Sequence, residues 1–111
     1  SAAEDIKAKA IIAFTQSGFT ARLVSKFRPK VPIIAFTPQA DVKMRMSLYW
    51  GVNSFLIRQM SNTDAMVREV EKSLIKSGFA GKGDSIVITA GSPLWTKGTT
   101  NLMKLHIIGS G

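Results

Sequence analysis

Five short apolar runs punctuate the chain, and the stretches between the first four repeat their apolar residues at helical spacing. Ala10 to Phe14 is the first run, with the character of a parallel strand covered on both faces. Thr15, Gln16, Ser17 and Gly18 follow, and the spacing beyond them predicts an amphipathic helix with Thr20, Leu23, Val24 and Phe27 on its buried face. That helix stops before Pro29, because the residue before a proline avoids helical angles. Val31 to Phe36 reads as a second strand. Thr37 and Pro38 then suit the N-cap and first position of a helix whose inward stripe is Val42, Met46 and Tyr49. Gly51 ends it.

Val52 to Ile57 predicts a third strand, shorter and more mixed. Ser61-Asn62-Thr63-Asp64 resembles a capping box with Asp in place of Glu. The helix it opens buries Met66, Val67, Val70 and Leu74 and stops at Gly78. A turn at Gly81-Lys82-Gly83-Asp84 leads to a fourth strand, Ser85 to Thr89. Ala90 to Asn101 is a Gly-, Ser- and Thr-rich loop without helical pattern, and Leu102 to Ile108 is the last strand. A parallel crossover needs about a dozen residues, usually helical. The last strand is therefore expected antiparallel to the fourth, in a three-layer α/β/α domain. Ser1 to Ala8 has the look of a helix's final turns with no start signal, so the chain is expected to be a piece of something longer.

Composition narrows the function. With 45% apolar residues in 111, the chain suits one folded domain. No apolar run is long enough to span a bilayer, and the acidic N-terminus is unlike a signal peptide. The absence of cysteine removes disulfides, thiol nucleophiles and Cys-type zinc sites, and fits the cytoplasm. Fifteen Lys and Arg against seven Asp and Glu give a net charge of +8, which draws anions. The basic residues are scattered, densest at Lys26, Arg28 and Lys30, without the interleaved aromatics of an RNA-binding surface. Neither nucleic acid nor a membrane is the expected partner.

A catalytic centre is hard to assemble. His106, the one histidine, falls within a strand, where packing is the commoner role. The carboxylates form no evident acid–base pair, and Asp84 suits a turn. No Walker sequence or GxGxxG occurs, and no metal site is expected. Two polar loops remain. The turn from Thr15 to Gly18, with Thr20 in the helix behind it, offers free N–H groups and a helix dipole to an anion. The plainer alternative, a simple helix cap, is commoner for such a turn. In open α/β sheets ligands lie beyond the carboxyl ends of the strands, where strand order reverses. If the first and fourth strands are neighbours, the loop carrying Gly91, Trp95, Lys97, Gly98, Thr99 and Thr100 shares that crevice. Trp95 would then stack on a sugar or base, or else pack on a neighbour. Trp50, at a helix end, suits packing.

AKAIIAFTQSGFTARLVSKFRPKVPIIAFT at 8–37, LYWGV at 48–52, GDSIVITAGSP at 84–93 and GTTNLMKLHII at 98–108, in this order and spacing, resemble the C-terminal domain of pyruvate kinase over essentially the whole chain. The resemblance implies a five-stranded sheet of order 3-2-1-4-5 with strand 5 antiparallel. It implies an allosteric domain carrying an effector site and part of a subunit interface. Thr15, Gln16, Ser17, Gly18 and Thr20 correspond to its effector phosphate pocket, and Gly91 to Thr99 to the flap above. Catalysis, with Mg2+ and K+, belongs to a barrel domain whose motifs are absent here, so residues 1–111 are expected to form a regulatory domain with a shortened first helix, no catalytic residue and no cofactor of its own. Phe19 replaces the Arg or Tyr often found in the first loop, Met66 stands about where an Arg would take a second phosphate, and Trp95 replaces a common Gly. AMP or a sugar phosphate is thus as consistent an effector as fructose 1,6-bisphosphate. A ligand-free assembly module is the alternative.

Overall fold

A computed structural model describes residues 7–59, 62–91 and 101–110. The strands are β1 (Ala10–Phe14), β2 (Ile33–Thr37), β3 (Val52–Leu56), β4 (Ser85–Gly91) and β5 (Asn101–Ile107), and the helices are α1 (Phe19–Lys26), α2 (Ala40–Met46) and α3 (Thr63–Ser77). The sheet order is β3-β2-β1-β4-β5. β1 runs parallel to β2 and β4, β2 parallel to β3, and β5 antiparallel to β4. This is the mixed α/β sheet expected. The expected helical turns at the N-terminus lie almost wholly outside the described residues, as do Ser61, Trp95, Lys97, Gly98, Thr99 and Thr100 of the candidate sites.

Alternation within the strands divides the core between the two faces. Ala10, Ile12, Phe14, Ile34, Phe36, Ile86 and Ile88 pack against Met66, Val67, Val70 and Leu74 of α3. On that face an aromatic row crosses three strands, with Phe14 and Phe36 centroids 5.7 Å apart and Phe36 and Phe55 also 5.7 Å apart. Phe79, beyond α3, meets Phe55 edge-on at 6.5 Å. Such edge contacts suit the ring quadrupoles. The opposite face holds Ala13 and Ala35 beneath Ala21 of α1 and Val42 and Met46 of α2.

α3 keeps the expected buried stripe and its C-cap glycine, Gly78, at φ 79°. Its N-cap differs. Asn62 takes that place, and its Oδ1 accepts from the Ala65 N–H at 3.2 Å. Asp64 stays in the first turn with the later start, where it favours the helix dipole.

α1 departs from expectation more sharply. Its buried residues are Ala21 and Ser25, with Val24 half-buried, whereas Phe27 is 80% exposed and Leu23 is exposed too. Small residues face the sheet and hold α1 close, and Ser25 Oγ donates to the Trp50 carbonyl at 2.6 Å. Trp50 is half-exposed, with the Arg28 guanidinium 4.8 Å above its ring.

α2 is likewise shorter than the pattern suggests. Thr37 completes β2, its Oγ1 accepts from the Gln39 N–H at 3.3 Å, and Gln39 is the N-cap. The helix ends at Met46, so half-buried Tyr49 follows it and Gly51 turns the chain into β3 at φ 72°. Asp84 has the expected turn role, its Oδ2 accepting from the Gly81 N–H at 2.8 Å.

Candidate functional site

The site begins with a register. Phe14 of β1 lies opposite Ala90 of β4 in a parallel pair, so the chain leaves both strands at the same sheet edge, side by side. Strand order also reverses there, because β2 and β3 lie on one side of β1 and β4 and β5 on the other. Gly91 remains in β4, paired with Asn101 at the start of β5. These two residues are the stems of the second loop.

The first turn is built from its own hydroxyls. Thr15 is buried, and its Oγ1 accepts from the Gly18 N–H at 2.9 Å. Ser17 is exposed, with its Oγ 3.3 Å from the Phe19 N–H that donates to it. Gly18 is the N-cap of α1 at φ 89°, a conformation glycine adopts without steric cost. A Cβ there would lie 3.3 Å from Met46 Cγ, 3.5 Å from Val42 Cγ1 and 3.6 Å from the Tyr49 hydroxyl oxygen, so α2 approaches the turn closely.

A helix start leaves four N–H groups without intrahelical partners. In α1 the first helical backbone bond runs from the Arg22 N–H to the Gly18 carbonyl at 3.0 Å. The N–H groups of Gly18 and Phe19 are taken by the turn's hydroxyls. Among the described residues nothing accepts from those of Thr20 and Ala21, and half-buried Thr20 carries its hydroxyl on the same turn. Thr15 therefore shapes the turn from beneath, while Ser17 and Thr20 lie nearer its surface.

Two residues join the turn from α2 and its N-cap. The Arg45 Nη2 donates to the Ser17 carbonyl at 2.7 Å, which fixes a guanidinium with further N–H donors beside the helix start. The Gln39 Nε2 donates to Gln16 Oε1 at 3.4 Å, across from the neighbouring loop. Arg45 is 28 residues from Ser17 in sequence, and no local pattern marks it. Only the packing of α2 beside α1 brings it in. The acceptor-poor, donor-rich character of this corner suits a phosphate or carboxylate.

His106 lies on the other side of the molecule's edge, away from this turn. It is half-buried between β5 and α3, and its Nε2 lies 2.6 Å from Glu71 Oε2. The same oxygen accepts from the Gly109 N–H at 3.0 Å. The Gly109 amide first, and the His106 ring with it, hold the Glu71 carboxyl below its ordinary value of 4.5. Among the described residues no group of three or more His, Asp and Glu is placed to hold a metal ion, and no helix is long and apolar enough to cross a membrane.

Fold and site together define an open α/β domain with a polar turn at the point where strand order reverses. The family profile described as "Pyruvate kinase, alpha/beta domain" matches residues 1–106. The chain belongs to that family, the C-terminal domain of pyruvate kinases. It is 42% identical over 106 residues to the pyruvate kinase of Mycobacterium tuberculosis, covering 96% of this chain and 22% of that protein. With the pyruvate kinase of Lactobacillus delbrueckii subsp. bulgaricus it shares 44% identity over 108 residues, 97% of this chain and 18% of the relative. A pyruvate kinase of Cryptosporidium parvum, solved in complex with ADP, superposes with a TM-score of 0.86 at 29% identity, over 96% of this chain and 21% of that one. The chain thus spans about a fifth of the length of the relatives it matches.

Proposed function

We propose that this chain is the effector-binding and subunit-assembly domain of a pyruvate kinase, taking a phosphorylated metabolite at the turn after β1. The observation that carries this reading is the β1–β4 register, which starts the hydroxyl-rich turn and the second loop at one sheet edge. Ser17, Thr20, the N–H groups of Thr20 and Ala21, and Arg45 supply donors to a phosphate. Thr15, Gln16 and Gly18 hold the turn's shape. The second loop, from Gly91 through Trp95, Lys97, Gly98 and Thr99, acts as the cover. The ligand is a sugar phosphate or AMP.

The parent enzyme transfers a phosphoryl group from phosphoenolpyruvate to ADP in the cytoplasm, in glycolysis. On this reading its Mg2+ and K+ belong to the remainder of that enzyme. On this reading residues 1–111 bind and signal but do not turn over substrate. Effector binding shifts the balance of quaternary states by the difference in its affinity for them.

Titration calorimetry with AMP, glucose 6-phosphate and fructose 1,6-bisphosphate tests the site. Losing charge-assisted hydrogen bonds costs about 1.5–3 kcal/mol, so Ser17→Ala with Thr20→Ala should weaken the bound ligand about tenfold or more. Binding that is absent from the wild type, or unchanged in the double variant, rejects the effector reading. The assembly role has its own support. On edge strand β5, Met103, Leu105 and Ile107 alternate outward and are exposed, as suits a strand that meets another chain.

A further inference from the structure

The groove between α3 and β5 carries a device that the effector reading does not use. It has a volume of about 680 Å³ and includes Val67, Glu71, Leu105, His106 and Gly109 in its lining. Glu71 Oε2 meets both His106 Nε2, at 2.6 Å, and the Gly109 N–H, at 3.0 Å. One carboxylate oxygen on a helix therefore grips the last strand and the turn that follows it. The register continues past the strand, with the Ile108 N–H donating to the Asp84 carbonyl at 2.9 Å and the Gly83 N–H to the Ile108 carbonyl at 2.9 Å. Gly109 itself runs at φ 83°, and the Lys82 side chain packs so closely that a Cβ on Gly109 would lie 2.9 Å from Lys82 Cγ. The turn after β5 is thus held in one position by two separate segments, α3 and the turn before β4.

We propose that Glu71, His106 and the Gly109 amide form a proton-operated clasp that holds the end of β5 and its following turn against α3. An ionised carboxylate only accepts hydrogen bonds, so His106 Nε2 carries the proton and donates. That donation survives whether or not Nδ1 also carries a proton. The proton that opens the clasp is the one that neutralises Glu71. The surrounding groups are mixed: Asp64 and Arg68 from α3, Lys104 from β5, and Lys82 against Gly109. The Gly109 amide, and then the His106 ring, lower the Glu71 carboxyl, while burial opposes them.

Because Glu71 titrates below its ordinary value in the folded chain, the clasp is closed above about pH 4.5 and opens as pH falls through the lowered value. Its working range is acid, and the ordinary cytoplasmic range leaves it shut. The clasp is independent of any ligand at the turn after β1.

Amide hydrogen exchange, read as protection corrected for intrinsic rates, tests this on the 111-residue chain. Between pH 6 and pH 3 the segment from 104 to 110 should lose protection at least tenfold while β1 and β2 keep theirs. Glu71→Ala should show the opened state already at pH 6. Glu71→Gln, whose amide oxygen still accepts from Gly109, should lie between the two and lose the pH dependence. Protection at 104–110 that is the same in wild type and Glu71→Ala overturns the clasp. So does a pH response that persists unchanged in Glu71→Gln. Were Glu71→Ala to fold poorly, the pH response of Glu71→Gln decides alone.

Discussion

Gly18 turns the chain with φ at 89° beneath Met46, Val42 and Tyr49, and a side chain there meets two penalties at once. The left-handed conformation costs a non-glycine residue about 1–2 kcal/mol, and the close Cγ of Met46 must also shift. Gly18→Ala is expected to lower stability by about 2 kcal/mol in urea titration, with the turn after β1 displaced. Its neighbours divide sharply. Thr15 is buried and its hydroxyl oxygen accepts from the Gly18 amide, so Thr15→Val should cost about 1–3 kcal/mol, the loss for an unsatisfied buried donor. Ser17 is exposed, so Ser17→Ala should change the stability read by urea titration little, by about 0.5 kcal/mol or less. Equal losses for the two would contradict this division of labour. The turn itself was legible, because hydroxyls and a glycine between an apolar run and a helical period have few other uses. Which hydroxyl turns inward was not, since that depends on the path of the backbone. Arg45 and the Glu71–His106 pair were illegible for a different reason: partners 28 and 35 residues apart meet only when elements pack.

Among the elements, legibility followed how many faces are covered. Strands buried on both sides must be apolar throughout, so β1 and β2 stand out as runs. α3 carries most of its large apolar residues on one face, Ile75 apart, and all four expected positions are buried. α1 misleads because its large apolar residues point outward and its inward residues are small. Ala21 and Ser25 let the helix approach the sheet, and periodicity weighted by side-chain size favours the wrong side. Paired substitutions in α3 measure the difference between inward and outward positions. Leu74 is fully buried, so Leu74→Ala should cost about 2–5 kcal/mol, whereas Ile75→Ala on the exposed side should stay within about 0.5 kcal/mol. Asn62→Ala removes the helix cap and should cost about 1 kcal/mol by urea titration. A loss as large as that at Leu74 would point to a further role for Asn62.

For the whole molecule, charge and protons set the conditions of stability. A net charge of +8 on 111 residues makes the folded chain repel itself. Raising sodium chloride from about 0.01 M to 0.15 M shortens the screening length from about 30 Å to about 8 Å, and the melting temperature should rise. A fall with salt would show that attractive pairs outweigh the excess of like charge. Glu71 adds a pH term of known sign. Its folded value is depressed, so its contribution is complete above about pH 4.5 and disappears as pH drops through the folded value. The urea midpoint of Glu71→Gln should therefore change less than the wild type's between pH 5 and pH 3. Equal changes would leave the acid sensitivity to other carboxylates.

The outermost strand gives the molecule a handedness of risk. β5 offers its alternate residues Met103, Leu105 and Ile107 to water along a margin that no further strand covers among the described residues. Such a margin should draw copies of the chain into clumps before heat unfolds them, which light scattering against calorimetric melting would check. Shelf life in a concentrated sample, and not heat tolerance, should then be the tighter limit on handling it.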